Sequence, residues 1–289
     1  MADRRLGIFL GRDRAEAVYA IRRRRASRVL ARGETRADGP FWNGDITGLG
    51  QVFRKLSRAL PSEARRADVR QSIALPDPLV TEDRLSFQDF PDSTAEAREL
   101  ILWRVAREHR RPAGSFSCAW QVERRDTPET RVLVRITEKR ILDAVLDAAG
   151  SNGIFPTRVD GWSGFLLNGP EVATGEAGAR VWANEAWWTL VCWARTAGTG
   201  GAGLETLVHS EWRGSDAELP AIGEKVARLI RAFALSSDAG KLPLAVEADA
   251  ALSEAVRSRI GDAADLWASG VDFAPASSGG ADCVAFDTA

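Results

Sequence analysis

One order of hydrophobic patterns is used twice along this chain, and that repetition limits its folding options more than any single motif. In residues 1–35 apolar side chains alternate as in strands: Leu6, Ile8 and Leu10, then Ala17, Tyr19 and Ile21, then Val29 and Ala31. Gly11-Arg12-Asp13 reads as the first turn and Arg22 to Ser27 as the second connection. A helix is expected next, with Asp45 as N-cap and Ile46, Leu49, Val52, Phe53, Leu56 and Leu60 on one face. Val69 to Leu75 returns as a short strand closed by Pro76-Asp77-Pro78. The opening therefore reads β-β-β-α-β.

After a Gly/Ala-rich link at Val172 to Gly178 the same order recurs. Strands fit Arg180 to Asn184, Trp187 to Trp193 and Gly203 to His209. Ser215 and Glu218 form a capping box before a helix carrying Leu219, Ile222, Val226, Leu229, Ile230 and Phe233. Leu242 to Val246 is the closing strand, followed by a helix around Ala250 to Ile260. Between the repeats lies a separate layer. Leu79 to Phe87 is strand-like, and Ser93 with Glu96 caps a helix carrying Ala97, Leu100, Ile101 and Val105. Cys118 to Val122 and Thr130 to Thr137 are two more strands, and the helix Glu138 to Ala149 is stopped by Gly150.

A three-strand meander, a crossover helix and a returning strand, used twice, is the plan of the actin-like (ribonuclease H-like) α/β fold. The expected architecture is a first lobe at 1–175, with an inserted subdomain at about 79–150, and a second lobe at 176–289. The length of 289 residues suits two modest domains. No run of about 18 apolar residues is present to cross a membrane. The run Leu6 to Leu10 is too short for a signal-peptide core, and Cys118, Cys192 and Cys283 are too few and scattered for a disulfide framework. A cytoplasmic location is expected. Residues 1–150 carry 29 basic and 22 acidic side chains, a net of +7, whereas the remainder carries 10 and 18, a net of −8. Such asymmetry fits a basic surface facing anionic lipid or an acidic partner, and equally two lobes that attract each other.

Residues 71–110 narrow the reading. Ile73-Ala74-Leu75-Pro76-Asp77-Pro78, then Leu85-Ser86-Phe87-Gln88-Asp89-Phe90-Pro91, then Glu96 with Ile101 and Trp103, resemble in order the motifs of the type IV pilus assembly family PilM. Cys118-Ala119-Trp120-Gln121-Val122, Arg131 to Val134, and Ala149-Gly150 with Pro156, Val159 and Asp160 continue that resemblance. It spans residues 5–170; beyond them only the element order is shared. The cytoplasmic domain of the secretion protein GspL is similar, but that protein continues into a membrane helix. The resemblance implies a cytoplasmic protein at the inner face of the inner membrane. Such a scaffold binds the short cytoplasmic N-terminus of a PilN-like membrane protein and communicates with the motor ATPase. The groove residues are not assigned by it.

The nucleotide motifs of that fold depart from the pattern. Glycine-rich turns should reach phosphate, and a carboxylate should order Mg²⁺ and its waters. The first turn reads Leu6-Gly7-Ile8-Phe9-Leu10-Gly11, keeping Gly7 and Gly11 but placing Phe9 at the acidic position. The second stretch, Val181 to Trp187, has Asn184 and no glycine. The third, Ala245 to Ala250, carries Glu247 and Asp249, which repel phosphate. These six are vestigial positions. Neither ATP, Mg²⁺ nor another metal is expected to bind, no catalytic residue is assigned, and a pseudo-ATPase scaffold is expected. The alternative is an actin-like ATPase or small-molecule kinase with a divergent site.

Other motifs carry less. Gly198 to Gly203 satisfies G-x-G-x-x-G but precedes a strand, so a hairpin loop is expected. Gly161-Trp162-Ser163-Gly164 lacks the G-x-S-x-G spacing, and Ser163 is expected to cap a helix from Gly164 to Leu167. His109 and His209 show no nucleophile nearby. Arg22 to Arg25 fits a solvated connection better than a nucleic-acid or phospholipid contact, and no nucleic-acid partner is expected. Trp182, Trp187, Trp188 and Trp193 alternate across two faces; core packing accounts for half of them, and an exposed remainder would be an interaction patch.

Overall fold

The computed structural model describes residues 3–23, 26–37, 39, 48–126, 129–167, 177–183, 187–195, 202–211, 217–236, 244–247 and 255. The chain divides into two compact units, the first running to Gly161 and the second starting at Trp162.

The first unit is built on β1 (Asp3–Leu10), β2 (Arg14–Arg23), β3 (Ala26–Arg36), α1 (Leu49–Ala59) and β4 (Arg70–Leu75). Then follow β5 (Thr81–Phe87), α2 (Thr94–His109), β6 (Phe116–Asp126), β7 (Glu129–Glu138), α3 (Lys139–Gly150) and β8 (Arg158–Gly161). Its main sheet has the order β3-β2-β1-β4-β8. The meander pairs antiparallel, while β4 and β8 join parallel through crossovers. Both faces of β1 are covered: Leu6, Ile8 and Leu10 are buried on one face and Phe9 on the other. That explains an apolar run where simple alternation would bury one face only.

The second unit comprises α4 (Trp162–Leu167), β9 (Ala177–Ala183), β10 (Trp187–Arg195), β11 (Ala202–Glu211), α5 (Leu219–Ser236) and β12 (Leu244–Glu247). Its sheet order, β11-β10-β9-β12, repeats the first with β12 parallel to β9. The duplicated order is thus present, and the fold is actin-like α/β. Ala179, Val181, Trp188, Leu190 and Cys192 pack one face of this sheet on Val226, Ile230 and Phe233 of α5.

Several local expectations change. The N-cap of α1 is Gly48, whose φ of +79° few other residues adopt; Asp45 lies outside the described residues. Ser93 does occupy the α2 N-cap, but its side chain makes no capping hydrogen bond; its carbonyl accepts from the Ala97 amide at 2.9 Å. Gly150 is the last residue of α3, and the left-handed exit falls at Gly153, φ +74°. Ser163 sits inside α4, which begins at Trp162. Ser215 and the helix expected around 250–260 fall outside the described residues apart from Ala255.

No exposed remainder is left to form a patch: Trp182, Trp187, Trp188 and Trp193 are all buried. Trp188 meets α5, where the Lys225 ammonium lies 5.1 Å from its ring centroid. On the other face Trp162 of α4 stacks on Trp182 at 4.9 Å, and Trp182 on Trp187 at 5.6 Å. Trp193 lays its indole over its cross-strand partner Gly178, where any Cβ would come within 2.7 Å of the indole Cε2. Four rings fit because the second sheet is covered on both faces. The break the sequence suggested near residue 175 lies outside the described residues.

The inserted layer is a sheet of order β5-β7-β6, with α2 over one face. Leu85, Phe87, Ile101, Val105, Phe116, Val132, Val134 and Ile136 form its own core. The helix α3, expected at the end of the insert, packs on α1 of the main lobe.

Candidate functional site

Two places within the first unit carry the chemistry that bears on function. One is the first turn. Phe9 is buried, paired in register between Glu16 of β2 and Ala74 of β4. Its ring sits at the position where the family resemblance leads one to expect a carboxylate, and a phenyl group cannot bind a hydrated cation. Gly11 has a structural reason to be glycine. Its amide donates to the Arg14 carbonyl at 2.8 Å, and a Cβ there would sit 3.0 Å from that same oxygen. The adjoining charges pair with each other, Arg14 with Glu16 at 3.3 Å.

Gly7 lies within β1, and Glu247 ends β12 in register with Trp182 in the second unit. Asn184 and Asp249 are outside the described residues. Among the described residues no group of three or more His, Cys, Asp or Glu side chains could hold a metal ion. Cys192, buried in the second core, has its thiol pushed up to about 12, and burial also raises Cys118, to about 11. Both are protonated at neutral pH and poor nucleophiles.

The second place is the insert. A buried ion cluster ties its sheet to β8. Arg135 of β7 donates from Nε to Glu82 of β5 at 3.1 Å and from Nη1 to Asp160 of β8 at 2.7 Å. Arg158 donates to the same Asp160 oxygen at 2.9 Å, and the Gly161 amide to its other oxygen at 2.8 Å. Burial pushes the Glu82 carboxyl up, against the pull of Arg135. Burial works the other way on Arg135, yet Asp160 and Glu82 together hold its guanidinium above the ordinary value. Asp160, met in the sequence only as part of a resemblance, is thus the anchor of the insert. Three residues further along β7, Arg111 and Arg140 grip Glu138 at 2.7 and 2.6 Å and hold its carboxyl low.

The outer face of α2 presents Trp103, 54% exposed, with the Arg107 guanidinium 5.6 Å from its ring centroid. Two residues past buried Ile101, Trp103 is turned about 200° round the helix, away from the insert core. That offset was legible in the sequence, although Trp103 entered there only as a motif residue. The neighbouring β6 is an edge strand. Along it half-buried Cys118 and Trp120 alternate with exposed Ala119 and Gln121.

No family model matches the chain, and no curated protein does. The fold is that of the actin-like ATPases, and solved structures share it at low identity. A chain of the PilM–PilN type IV pilus biogenesis complex is similar over 97% of this chain and 89% of its own, at 14% identity and a TM-score of 0.71. The cytoplasmic domain of EpsL, an inner-membrane component of the type II secretion system of Vibrio cholerae, is similar over 85% of this chain and 82% of its own. Its identity is 12% and its TM-score 0.50. A Bacteroides thetaiotaomicron protein with an actin-like ATPase fold and unknown function is similar over 94% and 91%, at 12% identity and a TM-score of 0.52.

Proposed function

We propose that this chain is a non-catalytic scaffold of a type IV pilus or related secretion assembly platform at the inner membrane. In this reading it binds the short N-terminal segment of a PilN-like membrane protein. The observation that carries the reading is the whole-chain likeness to a chain of the PilM–PilN complex, and the likeness to the EpsL cytoplasmic domain supports it. Contact with the motor ATPase and a cytoplasmic, membrane-peripheral location belong to the same proposal.

The non-catalytic part rests on Phe9. Because a buried ring replaces the carboxylate, calorimetric titration with millimolar ATP and Mg²⁺ is expected to give no saturable heat. Saturable, Mg²⁺-dependent binding would favour a divergent ATPase or kinase.

An extended segment can pair with a free strand edge while a few apolar anchors set its affinity. Exposed Trp103 with Arg107, on the outer face of α2, has the composition of such an anchor point. Replacing Trp103 by alanine is expected to weaken the peptide complex by about 2 kcal/mol, roughly thirtyfold. Its exposure means the melting temperature should hardly change. The check is an anisotropy titration with the labelled peptide at low and high salt, with weaker binding at high salt for both proteins. Equal affinities for the two proteins would move the peptide site away from α2.

A further inference from the structure

The solvent face of α1 is cationic. Gln51, Arg54, Lys55 and Arg58 face outward, while Leu49, Val52, Phe53 and Leu56 are buried. The helix has no acidic residue, and among the described residues no ion pair engages Arg54, Lys55 or Arg58. Lys55 only donates to the Arg36 carbonyl at 3.3 Å. Along the chain the acids flanking α1 are Asp45, outside the described residues, and Glu63, which accepts from Ser62 one turn beyond the helix.

This face continues into exposed apolar groups. Arg65, just past α1, lays its stem beside the turn that leaves α3: its Cδ is 4.0 Å from where a Gly153 side chain would begin. Its Nε makes no hydrogen bond among the described residues. Two residues after Gly153, Phe155 is 67% exposed, with its ring edge over Gly150. Leu146, one turn earlier on α3, is exposed too, and α3 packs on α1. Cations beside outward phenyl and leucyl side chains match a lipid interface, where headgroups take the charges and the acyl boundary takes the rings. Duplex nucleic acid would use the charges but leave Phe155 and Leu146 in water.

We propose that the outer surface of the α1–α3 layer, with Arg54, Lys55, Arg58 and Arg65 beside Leu146 and Phe155, rests directly on an anionic membrane. The proposal deepens the scaffold reading, which places the chain beside a membrane-embedded partner. A basic residue at such a surface strengthens binding about fivefold, so three together contribute about a hundredfold.

The test is flotation of the full chain with phosphatidylcholine vesicles, with and without phosphatidylglycerol. Binding is expected to the anionic vesicles and to fall with salt. The triple variant R54Q/K55Q/R58Q should lose about a hundredfold and Phe155→Ser about tenfold, with unchanged melting temperatures because all four side chains are exposed. Equal binding to both vesicle types would overturn the proposal. So would undiminished binding by the triple variant, or duplex DNA displacing the protein from anionic vesicles. Peptide affinity in vesicle-free solution, measured on the same variants, should equal that of the unmodified chain. Loss of lipid binding with peptide binding intact thereby separates failure of this proposal from failure of the scaffold reading.

Discussion

Replacing Arg135 by methionine is expected to destabilise the first unit by about 3–5 kcal/mol. The guanidinium is the shared partner of Glu82 and Asp160, and all three side chains are largely buried. Without it two carboxylates remain close together in a medium that solvates them poorly. Asp160 keeps Arg158 and the Gly161 amide, so most of the loss falls on Glu82. Its carboxyl already lies above the ordinary value through burial, and removing the opposing cation raises it further. The sign follows from linkage: a carboxyl raised in the folded state is destabilising while ionised, and the penalty fades as pH falls through its folded-state value. The deficit of the variant should therefore be largest at neutral pH and shrink toward pH about 5. Urea denaturation followed by circular dichroism at several pH values measures it. A further change of Glu82 to methionine should restore much of the loss, because a buried ion pair contributes little over an apolar pair of similar size. A pH-independent deficit that the double variant does not relieve would show that Arg135 acts by packing alone.

In the second unit the largest effect is expected from Trp162→Ala, about 3–5 kcal/mol. Trp162 is fully buried and begins the aromatic stack with Trp182 and Trp187. A truncated side chain leaves a cavity that α4 and the sheet cannot both close, since Trp182 is held by its strand. Trp162→Phe should lose markedly less, because it retains a ring against Trp182. Urea unfolding monitored by tryptophan fluorescence, which reports chiefly on this unit, distinguishes the two variants. A loss below about 1 kcal/mol for alanine would mean that the stack is not a core.

Local pattern determined much of this protein. The three opening strands, α1, β4 and their repetition in the second unit follow from apolar spacing alone, because each element must bury a face of defined period. The actin-like fold was readable from their order. So was Phe9 at the position where the family resemblance leads one to expect a carboxylate. Only tertiary structure decided where surfaces lie. The four clustered tryptophans alternate in sequence as if two faced water, yet both sides of the β9–β10 hairpin are covered and all are buried. Helix α3 adjoins the insert in sequence but packs on α1, and no local pattern states which partner a buried stripe will meet. Glu82, Arg135 and Asp160 are far apart along the chain, and their cluster exists because β5, β7 and β8 converge. The surface proposed to meet lipid is similar. Its cations lie on α1 and its apolar side chains on and after α3, and only the packing of those two helices brings them together.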